Sequence, residues 1–97
     1  MTTDAPSNDR CILTVLGSDR SGIVAAVATK LAQSNVNILD ISQTILQGIF
    51  TMNMLVDLAQ ATASFADLQT DLSQLQEQLG VQIHLQREDV FNYMYRL

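Results

Sequence analysis

Basic residues are scarce in this sequence: five Lys and Arg stand against ten Asp and Glu, a net charge of −5, with no basic run and no basic patch interleaved with aromatics. A balance of that sign repels phosphate backbones and excludes direct nucleic-acid binding. Cysteine is limited to Cys11, so neither an intramolecular disulfide nor a cysteine-built zinc cluster can form, the usage expected of a reducing compartment. His84 is the one histidine and cannot supply a metal site by itself. No apolar run approaches the ~20 residues that cross a bilayer, and residues 1–10 lack a basic segment followed by an apolar one. These absences predict a cytoplasmic protein in which residues 1–10 are a short flexible leader and residues 11–97 form a single domain.

Apolar residues are plentiful. They make up 47% of the chain against 15% charged, a globular profile with a surplus that a subunit interface could use. A chain of 97 residues buries about two-thirds of its unfolded surface, enough for one core.

The spacing of those apolar residues predicts the elements. A continuous apolar run over 11–16, interrupted by Thr14, reads as a central strand buried on both faces. Val24, Val27, Ala28, Leu31 and Ala32 recur at helical spacing over 23–34, with Asn35 suited to leaving the helix. Strands over 36–46 and 49–58 flank a tight Gln47-Gly48 turn and form a hairpin. In the first of them the apolar phase shifts: Val36 and Ile38 share one face, while Leu39, Ile41 and Ile45 share the other. Either a bulge intervenes or both faces are covered, the second by a partner subunit.

After a linker over 60–63, Ser64 and Asp67 resemble a capping box. Phe65, Leu68, Leu72, Leu75 and Leu79 then follow at spacings of three and four, and Gly80 ends the helix. The Gln-rich side of that helix, Gln69, Gln74, Gln76 and Gln78, reads as solvated. Val81, Ile83 and Leu85 alternate with Gln82, His84 and Gln86, a strand with one wet face. Met52 and Met54 read as core filling. The order βαββαβ predicts an α+β, ferredoxin-like sandwich, a four-stranded antiparallel sheet with two helices on one face. Val90, Phe91, Met94 and Tyr95 predict a further short helix over 89–96 that covers the open face.

The stretch between the first strand and the first helix carries the chemistry. Gly17 is expected to turn the chain out of the strand and Gly22 to let backbone approach a ligand, with Asp19 or Ser21 capping the helix from Ile23. The free N–H groups of such a first turn, at the positive end of the helix dipole, bind an anion of carboxylate size. Phosphate signatures are absent: the loop lacks the Gly-Lys-Ser/Thr ending of the Walker pattern and the third glycine of the dinucleotide fingerprint. Arg20 could pair with a carboxylate through its planar fork or stand in solvent. Asn37 offers both donor and acceptor at the start of the second strand, with Ile38 beside it lining a pocket or the core. Asp40, between Leu39 and Ile41, needs solvent, a hydrogen-bond donor or a ligand ammonium.

Two motifs, Gly17-Ser18-Asp19-Arg20-Ser21-Gly22-Ile23 and Asn35-Val36-Asn37-Ile38-Leu39-Asp40-Ile41, resemble those of the ACT domain, a small regulatory module that senses amino acids. With Ser42-Gln43-Thr44 and Phe50-Thr51-Met52 the likeness is greatest to stand-alone bacterial proteins made of one ACT domain, and it covers residues 11–87. The resemblance implies a homodimer that binds an amino-acid-like ligand through Gly17, Asp19, Arg20, Ser21, Gly22 and Ile23 of one subunit and Asn37, Ile38 or Asp40 of its neighbour. It implies no catalysis and no cofactor, and an output through some regulated partner protein. A structural dimerisation or adaptor module without ligand is the alternative reading. The ferredoxin-like fold also carries acylphosphatases, which Arg20 and Asn37 bring to mind, but the loop does not resemble theirs and Asp19 would repel a phosphate.

Overall fold

The structure, a computed structural model, describes residues 9–18 and 22–88. The chain runs β1 (Arg10–Ser18), α1 (Ile23–Gln33), β2 (Asn37–Leu46), β3 (Ile49–Asp57), α2 (Phe65–Leu79) and β4 (Gln82–Arg87). The strands form one antiparallel sheet in the order β2-β3-β1-β4. Two helices over one face of that sheet make the expected ferredoxin-like sandwich. Of the leader expected over 1–10, residues 1–8 lie outside the described residues, while Arg10 already belongs to β1, opposite Asp57. The helix expected over 89–96 also lies outside the described residues.

Period-two burial builds the core. Cys11, Leu13 and Val15 of β1, Phe50, Met52, Met54 and Val56 of β3, and Ile83 and Leu85 of β4 all turn to the helix side and are buried. Ile23, Val27 and Leu31 of α1 and Leu68, Leu72 and Leu75 of α2 close over them. The central strand β1 is fully buried on that face only; Ile12 and Thr14 on the other are half-buried and Leu16 is exposed.

Local chemistry sets the helix ends. The Ser64 hydroxyl accepts the Asp67 N–H at 3.1 Å, satisfying one orphan donor of α2. Gly80 ends α2 in the left-handed region, φ 70°, and its N–H donates to the Gln76 carbonyl. Past α1, Asn35 takes φ 57° and its side-chain amide donates to the Gln60 carbonyl at 2.8 Å, tying this connection to the loop before α2.

Gly17 differs from expectation. It lies inside β1, opposite Phe50, and does not turn the chain out of the strand. Its requirement is space: a Cβ there would stand 2.6 Å from Cγ1 and 3.0 Å from Cβ of Val81. The turn between α2 and β4 can therefore press against β1 only where β1 has no side chain.

In β2 the phase shift is a bulge. The register slips between Ile38, opposite Val56, and Asp40, opposite Leu55, leaving Leu39 as the extra residue. Ile38, Ile41 and Ile45 consequently share the helix side, Ile41 opposite Met54 and Ile45 opposite Phe50.

Gly17→Ala is expected to lose about 1–3 kcal/mol of stability through overpacking. In a double-mutant cycle with Val81→Ala, urea denaturation should show the two losses to be non-additive, because the second change removes the atoms the first one strikes. Ser64→Ala should cost about 1 kcal/mol by the same measurement.

Candidate functional site

At the N-terminus of α1 the first N–H groups have no partner within the helix. Its capping position is Gly22, not Asp19 or Ser21, which with Arg20 lie outside the described residues. Gly22 adopts φ 91°, a conformation costly for any residue with a Cβ, and no side-chain cap bond is made there. The first intrahelical bond runs from the Ala26 N–H to the Gly22 carbonyl at 2.9 Å, so the N–H groups of Ile23, Val24 and Ala25 precede the helical ladder. Lys30 in the last turn complements the negative end of the dipole, whereas no acidic residue in the first turn offsets the positive end. The Ile23 side chain is buried in the core, leaving its main chain as the part that can meet a ligand. Among the described residues nothing lies within 4 Å of where a Gly22 Cβ would stand.

The other motif begins β2. Asn37 is its first residue, exposed and opposite Asp57, while Ile38 packs against the core. Asp40 follows the bulge and is exposed, and its Oδ1 accepts the Ile41 N–H at 2.9 Å. The donor it was expected to need comes from the backbone that the bulge distorts. Beside it, Asp40, Ser42, Asn53 and Ile12 border a shallow hollow of 150 Å³ on the open sheet face.

One chain does not bring the two motifs together. Gly17 is opposite Phe50 and Asn37 opposite Asp57. Those partners lie at opposite ends of β3, roughly 23 Å apart at about 3.3 Å per residue. Near the Gly17 end, Leu16, Ser18, Ile49, Val81 and Gln82 border a hollow of 520 Å³ open to solvent.

The two outer strands of the sheet are finished differently. Along β2 no further strand pairs among the described residues, and Leu39, Ile41 and Ile45 remain exposed, Ile45 to 56%, although Ile41 and Ile45 are turned to the helix side. Natural edges are ordinarily blunted by charge or cover. Along β4 that cover exists, supplied by residues read from sequence as a solvated surface. Gln76 Oε1 accepts the Ile83 N–H at 2.7 Å, and Gln69 Nε2 donates to the Leu85 carbonyl at 3.3 Å. Gln69 and Gln76, seven residues apart, flank the apolar stripe of α2, whereas Gln74 and Gln78 lie on the far side of the helix; helical spacing separates the two pairs, but that the first pair meets β4 is set by packing.

Among the described residues, no group of three or more His, Cys, Asp or Glu could hold a metal ion, and no helix is long and apolar enough to cross a membrane. His84 is exposed on the wet face of β4, as expected.

Comparison with known proteins agrees with the fold. The ACT domain pattern matches residues 9–86. A UPF0237 protein of Listeria innocua is 51% identical over 88 residues, covering 91% of this chain and 99% of its own. An ACT domain protein from Streptococcus pneumoniae superposes with a TM-score of 0.75 at 40% identity, over 89% of this chain and 97% of that one. A UPF0237 protein of Methanocaldococcus jannaschii is 50% identical over 91% of this chain and 98% of its own. Sequence, strand order and length thus agree over nearly the whole molecule: the chain belongs to the ACT domain family and is a single ACT domain of the UPF0237 kind.

Proposed function

We propose that this protein is a non-catalytic regulatory module of the cytoplasm that works as a homodimer and binds a small amino-acid-like ligand at the dimer interface. One observation carries the reading: the two halves of the candidate site stand at opposite ends of the sheet in one chain, and the unpaired apolar edge, β2, carries one of them. Antiparallel pairing of two β2 edges about a two-fold axis reverses one strand against the other. The Asn37 end of each β2 then lies at the end of the sheet where its partner presents Gly22 and the start of α1. A second copy both covers Leu39, Ile41 and Ile45 and completes the site.

The chemistry fits a zwitterion. A carboxylate meets the free N–H groups of the first turn of α1, where the dipole is positive and Gly22 keeps the approach open. Asn37 supplies a donor and an acceptor, and Asp40 a negative charge for an ammonium group. Gly17 holds the loop's base against Val81, Ile38 fixes the start of β2 to the core, and Asp19, Arg20, Ser21 and Ile23 complete the loop. A ligand bound between subunits stabilises the assembled state by mass action, and a regulated protein that distinguishes monomer from dimer reads that shift.

The adaptor reading has its own observation. Leu16, Leu46 and Ile49 are exposed together on the open sheet face at the hairpin end, Leu46 to 69%. A module that captures a protein there needs no ligand. The acylphosphatase alternative has no comparable support.

Light scattering at tens of micromolar is expected to give the mass of two chains, and Ile41→Glu with Ile45→Glu to give that of one, since charge on both residues opposes pairing. A monomeric wild-type chain would end the shared-site reading. Gly22→Val should cost about 1–2 kcal/mol of stability through left-handed strain, and should abolish the thermal stabilisation produced by whichever amino acid scores in a panel. Asp40→Asn should weaken that amino acid more than its deaminated acid; equal losses would assign Asp40 to the bulge alone.

A further inference from the structure

The β4 edge bears a device that the reading above leaves without a purpose. In an antiparallel ladder the main-chain groups of alternate residues point to the same side, so Ile83, opposite Val15, and Leu85, opposite Leu13, are oriented alike. The Ile83 N–H and the Leu85 carbonyl both point away from β1, because each is met by a side chain of α2: Gln76 at 2.7 Å and Gln69 at 3.3 Å. Gln69 and Gln76 stand two helical turns apart on one side of α2, one placed for a donor and the other for an acceptor. Among the described residues α2 gives Ile83 and Leu85 no main-chain hydrogen bond, although the two elements pack against each other. Between them runs an open groove of 640 Å³, bordered by Ala66, Thr70, Ser73 and Gln86. Among the described residues, side-chain amides therefore occupy the places where an added strand would bond Ile83 and Leu85.

We propose that Gln69 and Gln76 form a latch that closes the β4 edge to strand addition, so that assembly through β2 stops at two chains. The proposal rests on β2 being the pairing edge. A domain with two open edges can pair β2 with the β4 of the next copy, a head-to-tail contact that does not close and extends into a continuous sheet. With β4 latched, the one pairing left is β2 with β2, which is self-complementary and closed. The two amides do on β4 what a charge or a proline does on other natural edges. Unlike a packed helix or a proline, they can be displaced, since each is held by a single hydrogen bond over an open groove.

The experiment uses the full chain as wild type, as Gln69→Ala/Gln76→Ala and as the control Gln74→Ala/Gln78→Ala, with mass followed by light scattering over a range of concentrations. The latch variant is expected to form species larger than the wild type at equal far-UV circular dichroism, and the control to match the wild type. Amide exchange supplies a second readout that does not depend on assembly. Gln76→Ala should speed exchange at Ile83 roughly fivefold to tenfold, the size of one partly exposed hydrogen bond, whereas Gln76→Glu should preserve protection because a carboxylate still accepts. Gln69→Glu, which cannot donate to the Leu85 carbonyl, should show part of the mass increase on its own. An unchanged mass in the latch variant, with Ile83 exchanging faster, would overturn the proposal. Unchanged exchange would remove its foundation. A monomeric wild type would refute the β2 dimer, yet a latch variant that gained mass over that monomer would still show that the glutamines close the edge.

Discussion

One extra residue in β2 decides what this domain presents to its surroundings. Without the bulge at Leu39, strict alternation from Ile38 would send Asp40, Ser42 and Thr44 to the helix side and Ile41 and Ile45 to the open face. The slip of register reverses this, so Ile38, Ile41 and Ile45 align with the buried residues Val56, Met54 and Phe50 of β3. Asp40 is released to solvent with its carboxylate on the neighbouring N–H. Apolar surface thus continues from the core to the margin of the sheet, where the chain's own helices end. Strand order leaves β2 at the edge, and the insertion decides which of its residues, Asp40 among them, face the solvent there.

Around this edge the rest of the fold is rigid scaffolding. β1 is central, pairs on both sides, and carries Gly17 where the turn before β4 presses against it. The consequence for binding is geometric: an antiparallel sheet puts the end of β1 and the start of β2 at opposite ends, so a site drawing on both needs two copies of the chain.

The sheet's two margins also show how polar and apolar residues divide the work. On β2 apolar side chains without cover favour association, while on β4 a pair of neutral amides satisfies main-chain groups without adding charge. Glutamine suits the second task because one side chain offers both donor and acceptor, and because it reaches from a helix to a strand across a gap that main chain does not fill.

Much of this was legible residue by residue. Ser64, Asp67 and Gly80 delimit α2 through local hydrogen bonds and a left-handed φ, which need no tertiary context; the alternation at Val81, Ile83 and Leu85 gives β4 and its buried face; and the broken phase at Leu39 announces the bulge. The two motifs were visible because a glycine-bounded junction of strand and helix and a polar strand start have few purposes. What sequence could not hold is distance. That Gly17 is needed for packing rather than turning depends on Val81, far along the chain. That Gln69 and Gln76 meet β4 while Gln74 and Gln78 do not depends on how α2 is rotated over the sheet. The separation of the two half-sites depends on strand order. Local propensity and periodicity determine elements because those interactions lie within a few residues, whereas contacts between residues remote in sequence exist only once the core has packed and chosen which faces, ends and edges meet.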